Sequence, residues 1–246
     1  MAFVTVHFFS NTLAKQVAMN VIVPDKGAGP FATYYLLHGM SDDYTIWHRR
    51  TRIEWYVRDL PLIVVMPDGF RGFYTNNADG PAYATFFGEE LIQFVERIFP
   101  AKKVRAGRCI GGLSMGGYGA LRLALGYPDL FTSANSHSGA LMAGAQAREG
   151  PQAQEFVRIF GRNPTGSEHD LRVLAKRCAK QKKLPKLRID CGVDDFLIDA
   201  NRRFHHFLTQ QRIPHEYEEY PGEHNWDYWD LHVQEALQFH AKALKL

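Results

Sequence analysis

Apolar positions in this chain change rhythm every ten to twenty residues. The runs 3–9 and 16–23 are β-prone with partial alternation and are joined by a short polar stretch around Ser10 and Asn11, so they predict an antiparallel pair at a sheet edge. Beyond the Pro- and Gly-rich turn 24–30, the runs 33–37 and 62–66 are continuously apolar, as strands covered on both faces are. Residues 42–60 between them are helix-compatible and stop before Pro61. Phe87, Leu91, Phe94, Val95 and Ile98 recur at helical spacing with Glu89, Glu90 and Glu96 on other faces, and Pro100 lies just past the end. Strands follow at 103–110, 131–138, 187–193 and 215–220, with helices at 117–126, 198–211 and 226–243.

Strand and helix alternate, which predicts an α/β protein with a parallel sheet, and 246 residues fit one domain, 1–246. The stretch 140–185 breaks the rhythm. It is rich in Gln, Arg and Lys, with helical segments near 153–160 and 170–181, and reads as a cap-like insertion between core elements. Residues 74–83 form a polar and aromatic loop suited to a pocket rim.

Composition narrows the function. The 46% hydrophobic and 22% charged fractions are those of a globular protein. A net charge of +3 is too small to imply nucleic acid or a membrane surface, and the basic bias of 141–190 reads as a solvated face. Three cysteines cannot all pair, and Cys109 and Cys191 sit in apolar strand-like runs, which points to reduced thiols. The first residues lack a basic region and a long apolar stretch, and no run reaches spanning length, so the expectation is a cytoplasmic protein. A homo-oligomer is left open.

The chemistry centres on Gly112-Leu113-Ser114-Met115-Gly116, set between a predicted strand and a predicted helix. A serine on a sharp strand-to-helix turn needs neighbours without a Cβ, so that its hydroxyl stands clear of the sheet. The helix start beyond it offers backbone N–H groups to an oxyanion. His38-Gly39-Met40 ends the strand 33–37, and its glycine lets the backbone approach a ligand, which makes the Met40 N–H a second donor beside that of Met115. A serine nucleophile also needs a histidine base and a carboxylate to orient it. Asp194 and Asp195 follow the strand 187–193, and His224 follows the strand 215–220. In a parallel sheet those strand ends share one edge with Ser114. The adjacent side chains of Asp194 and Asp195 leave a strand end in opposite directions, so only one of them faces His224.

His38 precedes the serine and does not match this order, although it borders the oxyanion loop. Ser136 and Ser138 lack flanking glycine pairs and read as strand-end hydrogen-bonders. His205 and His206 lie in a helix without a zinc pattern, and no phosphate loop is present, so neither metal nor cofactor is expected.

The segments 36–41, 112–119, 191–197 and 222–226 together resemble the esterase D-like α/β-hydrolases, a family that includes tributyrin esterases, S-formylglutathione hydrolases, feruloyl and acetyl-xylan esterases and the antigen 85 mycolyltransferases. The likeness runs over about 33–229. It implies a mostly parallel sheet of about eight strands flanked by helices, with Ser114 as nucleophile, Asp195 and His224 as its partners, and the Met40 and Met115 N–H groups as oxyanion hole. It also implies carboxylesterase activity on short-chain acyl esters, with a small-molecule ester as the partner. The likeness weakens in 140–185. A thioesterase uses the same groups, an acyltransferase would need a pocket that excludes water, and a hydrolase fold kept only for binding would have no use for a serine, an acid and a histidine in this order.

Overall fold

The computed structural model describes residues 1–147 and 149–246, so Arg148 of the basic stretch lies outside the described residues. Eight strands form one sheet: β1 (Ala2–Ser10), β2 (Lys15–Val23), β3 (Ala32–Leu37), β4 (Leu62–Pro67), β5 (Arg108–Leu113), β6 (Ser133–His137), β7 (Lys186–Gly192) and β8 (Glu216–Tyr220). Their spatial order is β1-β2-β4-β3-β5-β6-β7-β8. Only β1–β2 and β2–β4 pair antiparallel, and the other five pairings are parallel. The expected edge hairpin is present. Its turn is held from across the chain by the Glu90 carboxylate, which accepts from the Ser10 hydroxyl at 2.7 Å and the N–H groups of Asn11 and Thr12 at 2.7 and 3.0 Å.

Strands β3 to β6 are buried at every residue, which is why β3 and β4 read as unbroken apolar runs. Period two still sorts their side chains. Tyr35, Leu37, Ile63 and Val65 join one core layer, while Tyr34, Leu36, Leu62 and Val64 join the other. Strand β6 is polar yet buried; Ser133 and Asn135 Oδ1 find partners, whereas among the described residues the Ser136 hydroxyl and Asn135 Nδ2 find none. His240 Nδ1 meets the Ser133 hydroxyl at 2.8 Å and its Nε2 meets Asn135 Oδ1 at 2.8 Å. Burial pushes the His240 ring down to about 3, so it serves as a neutral linker.

The elements depart from expectation in three places. Residues 42–60 form two short helices, α1 (Ile46–Arg50) and α2 (Ile53–Val57), because Thr51 is extended and its side chain competes with the helix ladder. The Thr51 hydroxyl donates to the Trp47 carbonyl and accepts from the Ile53 N–H at 3.2 Å. The apolar run 87–98 extends back to α3 (Tyr83–Thr85), passes through a π turn over Phe86–Glu90 and continues as α4 (Leu91–Ile98). The strand expected at 103–110 starts later, since Arg105–Gly107 is a 3₁₀ turn and pairing begins where Arg108 meets Thr33.

The remaining helices are α5 (Met115–Gly126), α6 (Ala153–Phe160), α7 (Leu171–Lys180), α8 (Ile198–Gln210) and α9 (Trp226–Leu244). Both helices of the stretch 140–185 join the core on one face of the sheet. Helix α6 buries Phe156, Ile159 and Phe160, with Phe73 in edge contact with the two phenylalanines at 5.2 and 5.1 Å. Helix α7 is capped by the Asp170 carboxylate and packs against α5 and α8. Among the described residues no helix is long and apolar enough to cross a membrane. The carboxyl ends of β3, β5, β6, β7 and β8 lie on one edge of the sheet, where the loops that carry chemistry emerge.

Candidate active site

Ser114 caps α5 with φ 53° and ψ −115°, a conformation that L-residues avoid and that costs about 1–3 kcal/mol. Surrounding bonds fix it. The Ser114 N–H donates to the His137 carbonyl at 2.9 Å, and its carbonyl accepts from the N–H groups of Tyr118 and Ala140 at 3.1 and 3.0 Å. The glycines are required by the approach of β3. A Cβ on Gly112 would stand 2.6 Å from the Leu37 carbonyl oxygen, and one on Gly116 would stand 2.5 and 2.6 Å from those of Leu37 and His38. Backbone atoms cannot yield cheaply, so the elbow exists only because both positions are bare.

The same crowding sets the turn after β3 beside the start of α5. Gly39 lies against the Leu113 side chain, where a Cβ would come to 2.8 Å. Met115 is the first residue of α5 and has no carbonyl four residues back within the helix, while Met40 sits in the turn after β3. Among the described residues neither of these N–H groups donates to another protein group. His38 is buried and supports this loop from behind: its Nδ1 lies 2.7 Å from the Gly39 carbonyl, and its Nε2 accepts from the Gly69 N–H at 2.8 Å. Those partners select the neutral tautomer protonated on Nδ1. Arg71 adds a brace, with two bonds of 2.6 and 2.8 Å to Glu155 on α6 and a longer one of 3.5 Å to the Met40 carbonyl.

Of the two adjacent aspartates, Asp195 meets the histidine. Asp195 is buried and its Oδ2 lies 2.8 Å from His224 Nδ1, whereas Asp194 is exposed and its N–H bonds the Gly222 carbonyl at 3.0 Å. The Asp195 Oδ1 accepts from the Leu197 N–H at 2.7 Å. Burial alone would raise its pKa, but the bonds from His224 and Leu197 outweigh it and hold the carboxyl below its ordinary range. It is therefore ionised at neutral pH. The imidazole of His224 packs against Phe196, at 4.4 Å between ring centres, and against Trp229, at 4.9 Å with the rings nearly perpendicular.

Two residues near Asp195 and His224 were given no place there by the sequence. Trp229 packs against the His224 ring, and its indole N–H donates to the Ser138 hydroxyl at 3.3 Å. The available signal was the Ser-Gly pair just after β6, beside the elbow. Among the described residues the buried Ser136 hydroxyl has no hydrogen-bond partner, and His205 pairs with His215 at 2.8 Å. A cavity of about 340 Å³ opens beside Phe196 and Leu197, walled by Met142 and Phe156 together with the polar Gln146, Asp199 and Arg203. Next to it, between α7 and α8, a hollow of about 580 Å³ is lined by Arg172, Arg203 and His206 among others. The loop 74–83 flanks a separate cavity through Asn77, Asp79 and Pro81.

A mostly parallel eight-stranded sheet with a glycine-flanked serine at the elbow of a central strand defines an α/β-hydrolase. A family model matching residues 10–240 assigns it further: the chain belongs to the Esterase family. The acetyl esterase of Caldicellulosiruptor saccharolyticus is 32% identical over 264 aligned positions, covering 99% of each chain. Among solved structures, FphF of Staphylococcus aureus, a fluorophosphonate-binding serine hydrolase, superposes with a TM-score of 0.90 at 32% identity over 97% of each chain. The S-formylglutathione hydrolase FrmB of the same organism superposes at 0.85 with 33% identity, over 97% of this chain and 98% of that one. The chain is accordingly a carboxylic ester hydrolase of the serine hydrolase type.

Proposed function

We propose that this enzyme hydrolyses short-chain acyl esters through an acyl-Ser114 intermediate, with His224 as base and acid and Asp195 as the group that orients it. The observation that carries the reading is the 2.8 Å bond between His224 Nδ1 and the buried, ionised Asp195, on the sheet edge where the Ser114 elbow stands. That bond keeps the Nδ1 proton in place and leaves Nε2 free to accept one. In acylation His224 Nε2 takes the Ser114 proton as the oxygen bonds the acyl carbon, and the carbonyl pair moves onto the oxygen facing the Met40 and Met115 N–H groups. Collapse breaks the bond to the alkoxy oxygen, and His224 returns the proton to the departing alcohol. Water then repeats the sequence and releases the acid.

The likeness to an acetyl esterase favours acetyl to butyryl groups over long chains. The likeness to FrmB supports a second reading, hydrolysis of a thioester such as S-formylglutathione, in which a thiol leaves instead of an alcohol. One panel tests both: p-nitrophenyl esters of rising chain length and S-formylglutathione, with wild type and Ser114→Ala. Ser114→Ala is expected to fold and to lose about 10⁴- to 10⁶-fold in kcat. A folded Ser114→Ala protein that keeps more than about a tenth of the activity rejects the nucleophile.

A further inference from the structure

Helix α8 runs outward from the loop that holds Asp195, and a groove follows it. At the inner end lies the cavity beside Leu197 and Phe196, the latter packed by its ring on His224. At the outer end lies the hollow of about 580 Å³ between α7 and α8. Met142, Gln146 and Arg203 line both, so the two are parts of one groove. Its charge changes along its length. The inner part carries the exposed Asp199. The outer hollow carries Arg172, Arg202, Arg203 and His206 and, among the described residues, no acidic side chain.

These cations are not equivalent. Asp170 accepts from Arg172 at 3.0 and 2.8 Å, and Glu219 accepts from Arg202 at 2.9 and 2.6 Å, so both guanidinium groups are already matched. Arg203 is exposed and, among the described residues, has neither a carboxylate nor a hydrogen-bond partner. A guanidinium offers a planar fork that fits a carboxylate, and this one stands where the two parts of the groove meet. His206, further along α8, adds a ring N–H donor to the same hollow. Distance decides which end of a substrate arrives there. At a rise of about 1.5 Å per residue, Arg203 lies roughly 9 Å beyond Leu197 along α8. A butyryl chain spans about 5 Å from its carbonyl carbon, so a short acyl group falls well short. The charge that meets Arg203 belongs to the departing alcohol or thiol.

We propose that Arg203 and the hollow behind it form a subsite for a carboxylate on the leaving group, so that the substrates are short-chain acyl esters or thioesters of an acidic alcohol or thiol whose charge lies on the order of 10 Å from the scissile bond. The inference rests on the Ser114-dependent, short-acyl reading given above. Asp199 sets a lower limit on that distance, because a carboxylate close to the scissile bond meets a like charge before it meets the arginine.

The test uses acetate esters that differ only at the remote end: ω-acetoxyoctanoate against ω-acetoxyoctanamide, and acetoxyacetate against acetoxyacetamide, followed by acetate release. The quantity compared is the ratio of kcat/KM for acid over amide within one protein, so that changes common to both cancel. In wild type the long pair gives a ratio of about 5 to 20, carried by KM, as a charge-assisted contact made alike in ground and transition states does. The short pair gives a ratio of about one or less, and added salt lowers the long-pair ratio. Arg203→Gln brings the long-pair ratio to about one and Arg203→Glu takes it below one, both being substitutions of an exposed side chain. A wild-type long-pair ratio within about twofold of one overturns the proposal. So does a preference for the acid that survives Arg203→Glu, and so does an equal preference in the short pair, which would assign the effect to the overall positive charge instead of the hollow. Ser114→Ala and the p-nitrophenyl panel test the underlying reading separately. Acetate release by folded Ser114→Ala, or a preference for long acyl chains, rejects that reading and the inference with it; an inactive Ser114→Ala protein and a short-chain preference, with a long-pair ratio of about one, reject the inference alone.

Discussion

Replacing Asp195 by asparagine keeps size and shape but exchanges one oxygen for an amino group, and the surroundings decide which way the amide turns. The Leu197 N–H points at Oδ1 at 2.7 Å and needs an acceptor there. The amide oxygen is therefore claimed on that side, and the amino group faces His224 Nδ1. Two donors cannot share one hydrogen bond, so His224 moves its proton to Nε2 and loses the lone pair that receives the Ser114 proton. The expected fall in kcat is about 10³- to 10⁴-fold, or roughly 4–5.5 kcal/mol of transition-state stabilisation. Asp194→Asn is the control, because that side chain is exposed and no hydrogen bond ties it to His224, and it should stay within about tenfold of wild type. Both variants are to be measured at saturating p-nitrophenyl acetate, with circular dichroism to establish folding. A larger loss for Asp194→Asn, or more than about a tenth of wild-type kcat in Asp195→Asn, would refute the assignment.

Gly116→Ala places a methyl group 2.5 Å from a β3 carbonyl oxygen, and should lower stability by about 3 kcal/mol, or roughly 6–12 °C in thermal midpoint, together with activity. An unchanged melt would mean that the elbow is not confined by β3. The carboxyls of Asp195 and Asp170 are both held below their ordinary range, burial raising them but hydrogen bonds prevailing. A depressed folded pKa contributes stability above the unfolded value near 4 and loses it as pH falls through the folded value, so the thermal midpoint should drop on acidification from about pH 5 to about pH 3. Asp195→Asn should flatten part of that drop, and a midpoint independent of pH over this range would contradict it.

Local chemistry was legible wherever one segment decides its own conformation. The elbow could be read because its glycines answer a steric demand, and the buried strands β3 and β4 because two covered faces leave an unbroken apolar run. The split of 42–60 was hidden, since the Thr51 hydroxyl satisfies the same groups that a continuous helix would. The preference for Asp195 over Asp194 came from the family pattern, because spacing could not say which carboxylate turns inward. Ser138 reads as a strand-end hydrogen-bonder and is one, but its side-chain partner, Trp229, lies 91 residues away where spacing cannot show it.

The Arg71–Glu155 pair has a bearing on engineering. Substrate range is commonly altered by transplanting the variable segment of an enzyme, here residues 140–185, and keeping the rest. In this protein the graft would also carry away Glu155, the anchor of the arginine that reaches the Met40 carbonyl. Residues 140–185 and the turn that holds Met40 are thus not independent of each other. A donor segment should supply an acidic residue in register with Arg71, or the recipient loop will need its own restraint.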